Sequence, residues 1–493
     1  MKRKFLTNLA LLLTLNVIVK PFWIFGIDRT VQNIVGAAEY GFYFSLFSFS
    51  LLLNILLDLG ITNFNNRDIA RHPQLLSKYF SNIVSLKFLL GIFYAGISFL
   101  LAYLIGYNET QFHLLWFLVI NQFLASFLLY LRSNLSGLQM FKTDSILSVL
   151  DRIILIGICS ILLWTNIFDN EFKIEWFVYA QTAAYSLSVI VAFLLVFIRT
   201  DFFHFKIDWH FMMVIIRKSY PYAILVILMS IYYRIDSVML ERMLPNGDIE
   251  AGIYAQAFRI LDAFAMFAFL FATLLLPIFS RMIRKDQPVE ELTSFSYMLL
   301  MIPVLTISVS LIFYRHEFMD WLYHEHTSES AKVLGVLMIA HIFVSSTYIS
   351  GTLLTAGGHL RNLNIAAGSG LVLNVVLNII LIPKLAAYGS AIASLVTQIL
   401  IMSVQLILVF RIFKFKNRIS LYYRLILFIV LLIAITQAST YIHFYWLIKV
   451  IAVISLSGAL AFVLGLIKLP ILSTIIGSNA NELPADEGEQ DFL

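Results

Sequence analysis

Leu425-Ile426-Leu427-Phe428-Ile429-Val430-Leu431-Leu432-Ile433-Ala434-Ile435 carries no polar side chain over eleven consecutive positions. A strand of a transmembrane β-barrel alternates apolar and polar residues over short segments. This run does not alternate, so it reads as helix. Similar runs recur along the whole chain of 493 residues, of which 60% are apolar and 13% charged, with a mean hydropathy of +0.87. A soluble globular chain carries roughly 25% charged residues, so water is not the main solvent here. A helix needs about 20 apolar residues to cross the hydrocarbon core, so fourteen crossings use ~280 residues and leave only short connections. That composition excludes a soluble enzyme, a nucleic-acid binder and a secreted disulfide scaffold. The single cysteine, Cys159, has no disulfide partner within the chain. The basic residues behind the formal charge of +5 are dispersed among loops, which is not the pattern of a nucleic-acid patch.

Long apolar runs predict helical crossings near 5–26, 40–61, 79–105, 112–132, 145–165, 175–198, 213–240, 253–280, 293–314, 331–355, 362–383, 385–410, 421–441 and 443–467. Lys2-Arg3-Lys4 ahead of the first run has the look of a signal peptide. The run is long, however, holds Asn16, Lys20 and Pro21, and is followed by no small-x-small cleavage site, so it reads as an uncleaved span. With the N-terminus inside, 22 of the 34 Lys and Arg fall on the cytoplasmic side, seven outside and five within spans. That excess predicts both termini in the cytoplasm. Trp23, Trp116, Trp164, Trp176, Trp209 and Trp446 fall near span ends, as interfacial tryptophans do. Beyond Asn479, Glu482, Asp486, Glu487, Glu489 and Asp491 stand without a basic residue, the composition of a solvated, disordered tail.

The chain also repeats itself. Gly41-Phe42-Tyr43 opens the second span and Gly252-Ile253-Tyr254 the eighth, 211 residues later. Phe197-Ile198-Arg199 closes the sixth span and Val409-Phe410-Arg411 the twelfth, 212 residues later. Six crossings are an even number, so the two blocks share one orientation, a parallel repeat. The expected architecture is an all-α polytopic membrane protein with an N-terminal six-helix lobe at 1–200 and a C-terminal six-helix lobe at 201–412. Two additional helices follow at 413–470, and then the tail at 471–493. A duplicated bundle points to alternating access, with the substrate path between the lobes.

The five cations inside spans are Lys20, Lys87, Arg152, Arg234 and Arg259. Each costs roughly 2.5–3.5 kcal/mol at a helix centre, so each needs a reason to be there. Snorkelling to the headgroups accounts for Lys87, about two turns from a span end. Arg152 has Asp151 beside it and reads as local structure. Lys20, Arg234 and Arg259 lie in the outer half of the membrane on different helices. Asn16 and Lys20 are spaced i, i+4, as are Ser230 and Arg234 in the seventh span, and Gln256 and Arg259 are one turn apart. Two readings stand: outer-leaflet snorkelling, or convergence on a cleft suited to an anion such as phosphate, which Arg binds in bidentate fashion. Pro21 should disturb the first helix beside Lys20. Asp236 and Asp262 are either acids for ion coupling or the neutralising partners of Arg234 and Arg259. Asp58 reads as a boundary residue and His341 as packing. His324-Glu325-His326 reads as a solvated loop, and Asn374 and Asn378 as lining a path or bonding across helices. No metal site and no cofactor are expected.

No G-x-x-x-x-G-K-[ST] loop is present, and no outer loop is long enough to house membrane-enzyme chemistry, which leaves a secondary transporter. Val35-Gly36-Ala37-Ala38-Glu39-Tyr40-Gly41-Phe42-Tyr43, Asp58-Leu59-Gly60-Ile61-Thr62 and Arg67-Asp68-Ile69-Ala70-Arg71 resemble the opening of bacterial polysaccharide-biosynthesis flippases, within the multidrug/oligosaccharidyl-lipid/polysaccharide exporter superfamily. Arg234-Ile235-Asp236, Glu250-Ala251-Gly252-Ile253-Tyr254-Ala255 with Arg259, and Asn378 through Ile382-Pro383-Lys384 extend the resemblance. The family usually continues Gly-x-x-Gly-Ala-Ala, where this chain reads Leu385-Ala386-Ala387-Tyr388-Gly389-Ser390-Ala391. The resemblance implies a V-shaped pair of lobes around a cationic cavity in a bacterial inner membrane. The cargo it implies is a polyprenyl-pyrophosphate-linked oligosaccharide such as an O-antigen unit, coupled to protons or sodium ions. Lys20, Arg234 and Arg259, with Asn16 and Gln256, are the expected headgroup contacts, and Asp236 and Asp262 the ion-coupling acids. Partners implied are the lipid bilayer and, beyond it, glycan polymerase and glycosyltransferases. The alternatives are a drug/cation antiporter of the same superfamily and a non-transporting scaffold of a glycan-synthesis complex.

Overall fold

The computed structural model describes residues 15–466 apart from 17, 20, 63–64, 67–68, 70–71, 166–171, 201–208 and 416–418. Lys20 and the acidic tail lie outside the described residues. Within them the chain is all-helical. The helices are α1 (23–35), α2 (37–52), α3 (Leu76–Ile105), α4 (Glu109–Gly137), α5 (Phe141–Trp164), α6 (Ile174–Phe197), α7 (Trp209–Met243) and α8 (Gly247–Arg284). There follow α9 (Glu290–Phe313), the short α10 (Arg315–Leu322), α11 (Thr327–Ala356), α12 (360–385), α13 (387–413), α14 (Ile419–Thr440) and α15 (Trp446–Val463).

Twelve stretches among the described residues are long and apolar enough to cross a membrane. One of them, Leu360–Phe413, has 54 residues and as a single rod would reach ~81 Å, far beyond the ~30 Å core. Ala386, at φ 49 and ψ −131, breaks it into α12 and α13. Gly36, at φ 79 and ψ 172, likewise divides α1 from α2. About fourteen crossings result.

The first turn corrects the sequence reading. Residues 27–39 are helix on both sides of one glycine, and the second crossing runs over 37–52, not 40–61, before a 3-10 turn at Asn54–Leu57. Arg29, Gln32 and Asn33 make this stretch polar because they face the other half of the chain, not because they form a loop.

One apolar core joins the two halves: Ile27, Tyr40 and Phe44 of the first pack with Ala251, Phe258 and Leu322 of the second. It follows α2 from Tyr40 as far as Leu52 and reaches Leu57. Each half has a further core. Phe80, Leu131, Leu147 and Val196 build one, and Phe279, Met301, Leu353 and Val409 the other. The halves thus share one core along α2, and each also keeps a core of its own. Helices α14 and α15 extend the second core through Phe428, Leu432, Val453 and Ala461.

Lys87 does not snorkel. It is 1% exposed, with its ammonium 2.7 Å from Asp58, and it donates to the Leu57 carbonyl at 2.9 Å and to Ser126 at 3.1 Å. Asp58 is its partner, and the three contacts together hold the chain where α2 ends.

Candidate functional site

Pro21 has no N–H to give, and just beyond it the chain winds as a six-residue π turn, Trp23–Asp28. Asp28 closes that turn with its carboxylate buried. Tyr40 on α2 donates its hydroxyl to Asp28 Oδ2 at 2.7 Å. Arg259 Nε on α8 donates to the Tyr40 oxygen at 3.0 Å and stands 3.2 Å from Asp28 Oδ2. The other carboxylate oxygen, Oδ1, has no hydrogen-bond partner among the described residues. The Arg259 guanidinium lies over the rings of Phe44 and Phe47, 5.0 and 5.4 Å from their centroids.

A second pair stands beside the first. Arg234 Nη2 on α7 donates to Asp262 Oδ2 on α8 at 3.0 Å, and Tyr233 donates to Oδ1 at 3.1 Å. Arg234 covers Tyr233 and Phe258, and Phe258 meets Phe44 edge to face at 6.1 Å. The two arginines thus flank one aromatic pair. Arg234 Nη1 has no partner among the described residues. Arg152 on α5 is close enough to act electrostatically on Asp28 and Arg259. It donates to Tyr185 at 3.1 Å, stands 3.5 Å from Asp151 and covers Trp23 at 5.4 Å.

Exposure separates these charges by role. Arg152, Arg234 and Arg259 keep 27%, 17% and 14% of their side chains open, while Asp28 keeps 3%. A ligand can reach the guanidinium groups but not the carboxylate behind Arg259. Each of these arginines has a carboxylate beside it, so the described charges balance. Asp262 thus takes one of the two roles the sequence left open for it, as the neutralising partner of Arg234.

The expected contacts divide accordingly. Arg234 and Arg259 come together and Asp262 joins them. Asn16 is occupied elsewhere, donating to Ser148 on α5 at 3.0 Å. Gln256 is buried where the halves meet and donates to the Glu325 carbonyl at 3.2 Å. Sequence reading missed Asp28 and Tyr40 and passed over Arg152. The signal available was Pro21 followed within two turns by an acid.

Asp236 takes no part in this cluster. Asn374 and Asn378 donate to its Oδ1 at 3.2 and 2.7 Å; Tyr254 donates to Oδ2 at 2.8 Å and Ser394 donates there too. Asn378 in turn accepts from Ser390 at 2.9 Å. All lie in the second half, buried except for the half-buried Ser394, with no cation among the described side chains that touch Asp236. Four donors hold one carboxylate, and oxygens of Asn374, Asn378, Ser394 and Tyr254 surround it.

At the Gly36 end the halves are tied by polar contacts. Arg29 donates to the carbonyls of Leu322 and, at 3.1 Å, Trp321; Asn33 reaches Leu322 at 2.9 Å. Gln32 donates to the Gly252 carbonyl at 3.3 Å, and Glu325 accepts from the Ala37 N–H at 3.1 Å, capping α2. Glu325 is therefore not a freely solvated loop residue. Inside this ring the backbones of α2 and α8 touch. A Cβ on Gly41 would lie 1.8 Å from the Asp248 carbonyl oxygen, and one on Gly252 would lie 2.0 Å from that of Ala37.

Solved structures share this architecture. The lipid II flippase MurJ in an inward closed conformation superposes with a TM-score of 0.68 at 16% identity, covering 94% of this chain and 99% of that one. An inward-facing multidrug resistance MATE family transporter of the MOP superfamily gives 0.63 at 14%, covering 84% and 99%. An outward-facing MATE family transporter gives 0.55 at 14%, covering 83% and 93%. At such identities the likeness is one of fold. No curated protein sequence matches the chain. The family model described as "Polysaccharide biosynthesis protein" matches residues 5–283, more than half of the chain, which belongs to that family.

Proposed function

We propose that this protein is a flippase of the bacterial inner membrane. In this reading it carries polyprenyl-pyrophosphate-linked oligosaccharides, such as O-antigen or other surface-polysaccharide units, by alternating access. The observation that carries the reading is the pair Arg234 and Arg259, partly open on either side of the Phe44–Phe258 contact in the interior of the bundle. Arginine forks match phosphate oxygens, and the adjoining rings suit sugar faces and an apolar tail. Lobes at 1–200 and 201–412 rock about the path, 413–470 adds two helices, and both termini are cytoplasmic, so the Gly36 end faces outward. Lys20 is a third headgroup cation in this reading. Asp236 serves as the acid that couples an ion gradient. Asp262 is less suited to that task because it already neutralises Arg234. Glycan polymerase and glycosyltransferases act before and after this step.

Reconstitution in liposomes with a fluorescent lipid-linked oligosaccharide tests the reading. Wild type should move the probe across the bilayer, and Arg234→Ala and Arg259→Ala should each slow it by about tenfold or more. Equal rates in all three would overturn the headgroup assignment. The balanced charges around Asp28 and Asp262 favour a second reading, a drug/cation antiporter of the same superfamily. Transport of a cationic dye in place of the anionic lipid would establish it.

A further inference from the structure

We propose that Asp28 stands in for the cargo: its carboxylate holds Arg259 and Tyr40 until an anionic headgroup takes its place, and that exchange releases the tie between the two halves. The inference rests on the reading of an anionic, phosphate-bearing cargo.

Among the described residues this cluster holds three arginine–carboxylate pairs, and they differ in what they connect. Arg152 and Asp151 are neighbours on α5, and Arg234 and Asp262 join α7 to α8 within the second half. Only Arg259 with Asp28 joins α8 to α1, one half to the other. An anion that competes for Arg234 or Arg152 leaves the contact between halves untouched. An anion that competes for Arg259 loosens it.

Asp28 is held in a way that permits exchange. Tyr40 donates to Oδ2 and the Arg259 Nε pairs with the same oxygen at 3.2 Å, while Oδ1 receives no hydrogen bond from the described residues. A buried carboxylate with one oxygen unsatisfied is incompletely stabilised. A pyrophosphate diester brings two charges and several acceptor oxygens to the same two donors. It also has access, since Arg259 is partly open whereas Asp28 sits behind it. Asp28 is thus a positioning residue. It keeps Arg259 from binding indiscriminately and ties cargo arrival to movement of α1 against α8.

The test measures binding of farnesyl pyrophosphate, a short polyprenyl pyrophosphate, to the full chain in nanodiscs. A second readout is the distance between spin labels on Glu39→Cys and Asp320→Cys, exposed residues of opposite halves, in a Cys159→Ser background. Arg259→Gln should weaken binding about tenfold, and Asp28→Asn should tighten it about tenfold while slowing turnover of the lipid-linked probe. Asp28→Asn without ligand should already show the longer distance that farnesyl pyrophosphate induces in wild type. Asp262→Asn frees Arg234 and should tighten binding with no change in distance. Should Asp28→Asn fold poorly, Tyr40→Phe removes one donor to the carboxylate and should move affinity and distance the same way, more weakly. If no variant and not wild type binds the probe, the anionic-cargo reading fails. If wild type binds through Arg259 but Asp28→Asn binds equally or more weakly, the exchange proposal is refuted and the reading stands.

Discussion

Replacing Gly41 with alanine puts the smallest possible wedge between the two halves. Its Cβ would lie 1.8 Å from the Asp248 carbonyl oxygen and 2.5 Å from the Gly252 nitrogen, both backbone atoms that cannot rotate aside. Restoring an ordinary contact of about 3.4 Å moves α2, and with it the end of α1 joined to it at Gly36, away from α8 by about 1.6 Å. Gln32 reaches the Gly252 carbonyl at 3.3 Å, so the same movement takes that bond to about 5 Å, outside hydrogen-bonding range. Losing it, together with the packing around it, weakens the closed arrangement by about 2–3 kcal/mol, a shift of roughly 30- to 150-fold between closed and open populations. Spin labels on Glu39→Cys and Asp320→Cys, with buried Cys159 replaced by serine, report the result as growth of a long-distance population. Gly252→Ala should act alike, because its Cβ meets the Ala37 oxygen at 2.0 Å. Gly96→Ala meets nothing within 4 Å and should leave the distribution unchanged. A Gly41→Ala distribution identical to wild type would refute the reasoning.

Three further outcomes are expected. Lys87→Met should cost about 2–3 kcal/mol in thermal unfolding in detergent, because it leaves Asp58 and the Leu57 carbonyl without their ammonium partner; adding Asp58→Asn should recover most of it, and a single variant as stable as wild type would refute the anchoring role. Ala386→Gly should raise stability by about 1 kcal/mol, since φ 49 with ψ −131 is strained for alanine and open to glycine; a lower unfolding temperature would count against it. Asp236→Asn should fold, with Oδ1 kept toward the two asparagine amides and Nδ2 toward the Tyr254 and Ser394 hydroxyls, which can turn to accept. Probe translocation by that variant should no longer respond to an imposed proton or sodium gradient, and an intact response would remove Asp236 from coupling.

The crossings were legible because each is a long apolar run, and the runs do not depend on their neighbours. The exception is instructive. Arg29, Gln32 and Asn33 lowered the hydropathy of 27–39 enough to read as a loop, yet they belong to a helix whose polar face is buried against another helix. A single sequence does not distinguish polar residues that face water from polar residues that face each other. The same limit applied to the charges. Arg234 and Asp262 stood out because both fall within long apolar runs. Asp28 did not, because it lay in the supposed loop and its partner Arg259 is in the other half of the chain. Lys87 was misread for a related reason: depth in the membrane does not say whether a carboxylate waits on an adjacent helix. Ala386 is the converse case, where the departure from the family's glycine at that place was visible in sequence and the strained backbone is its physical content.

Gly41 and Gly252 open matching helices in the two halves, and in the folded chain they meet each other. At that point main chain lies against main chain, since a Cβ on either glycine would meet a carbonyl oxygen of the facing helix. A junction without side chains has no rotamers to freeze when it forms or to release when it parts. That contact adds no side-chain entropy cost to the seam, so the seam's hold rests on the apolar core around it and on the bonds of Arg29, Gln32, Asn33 and Glu325.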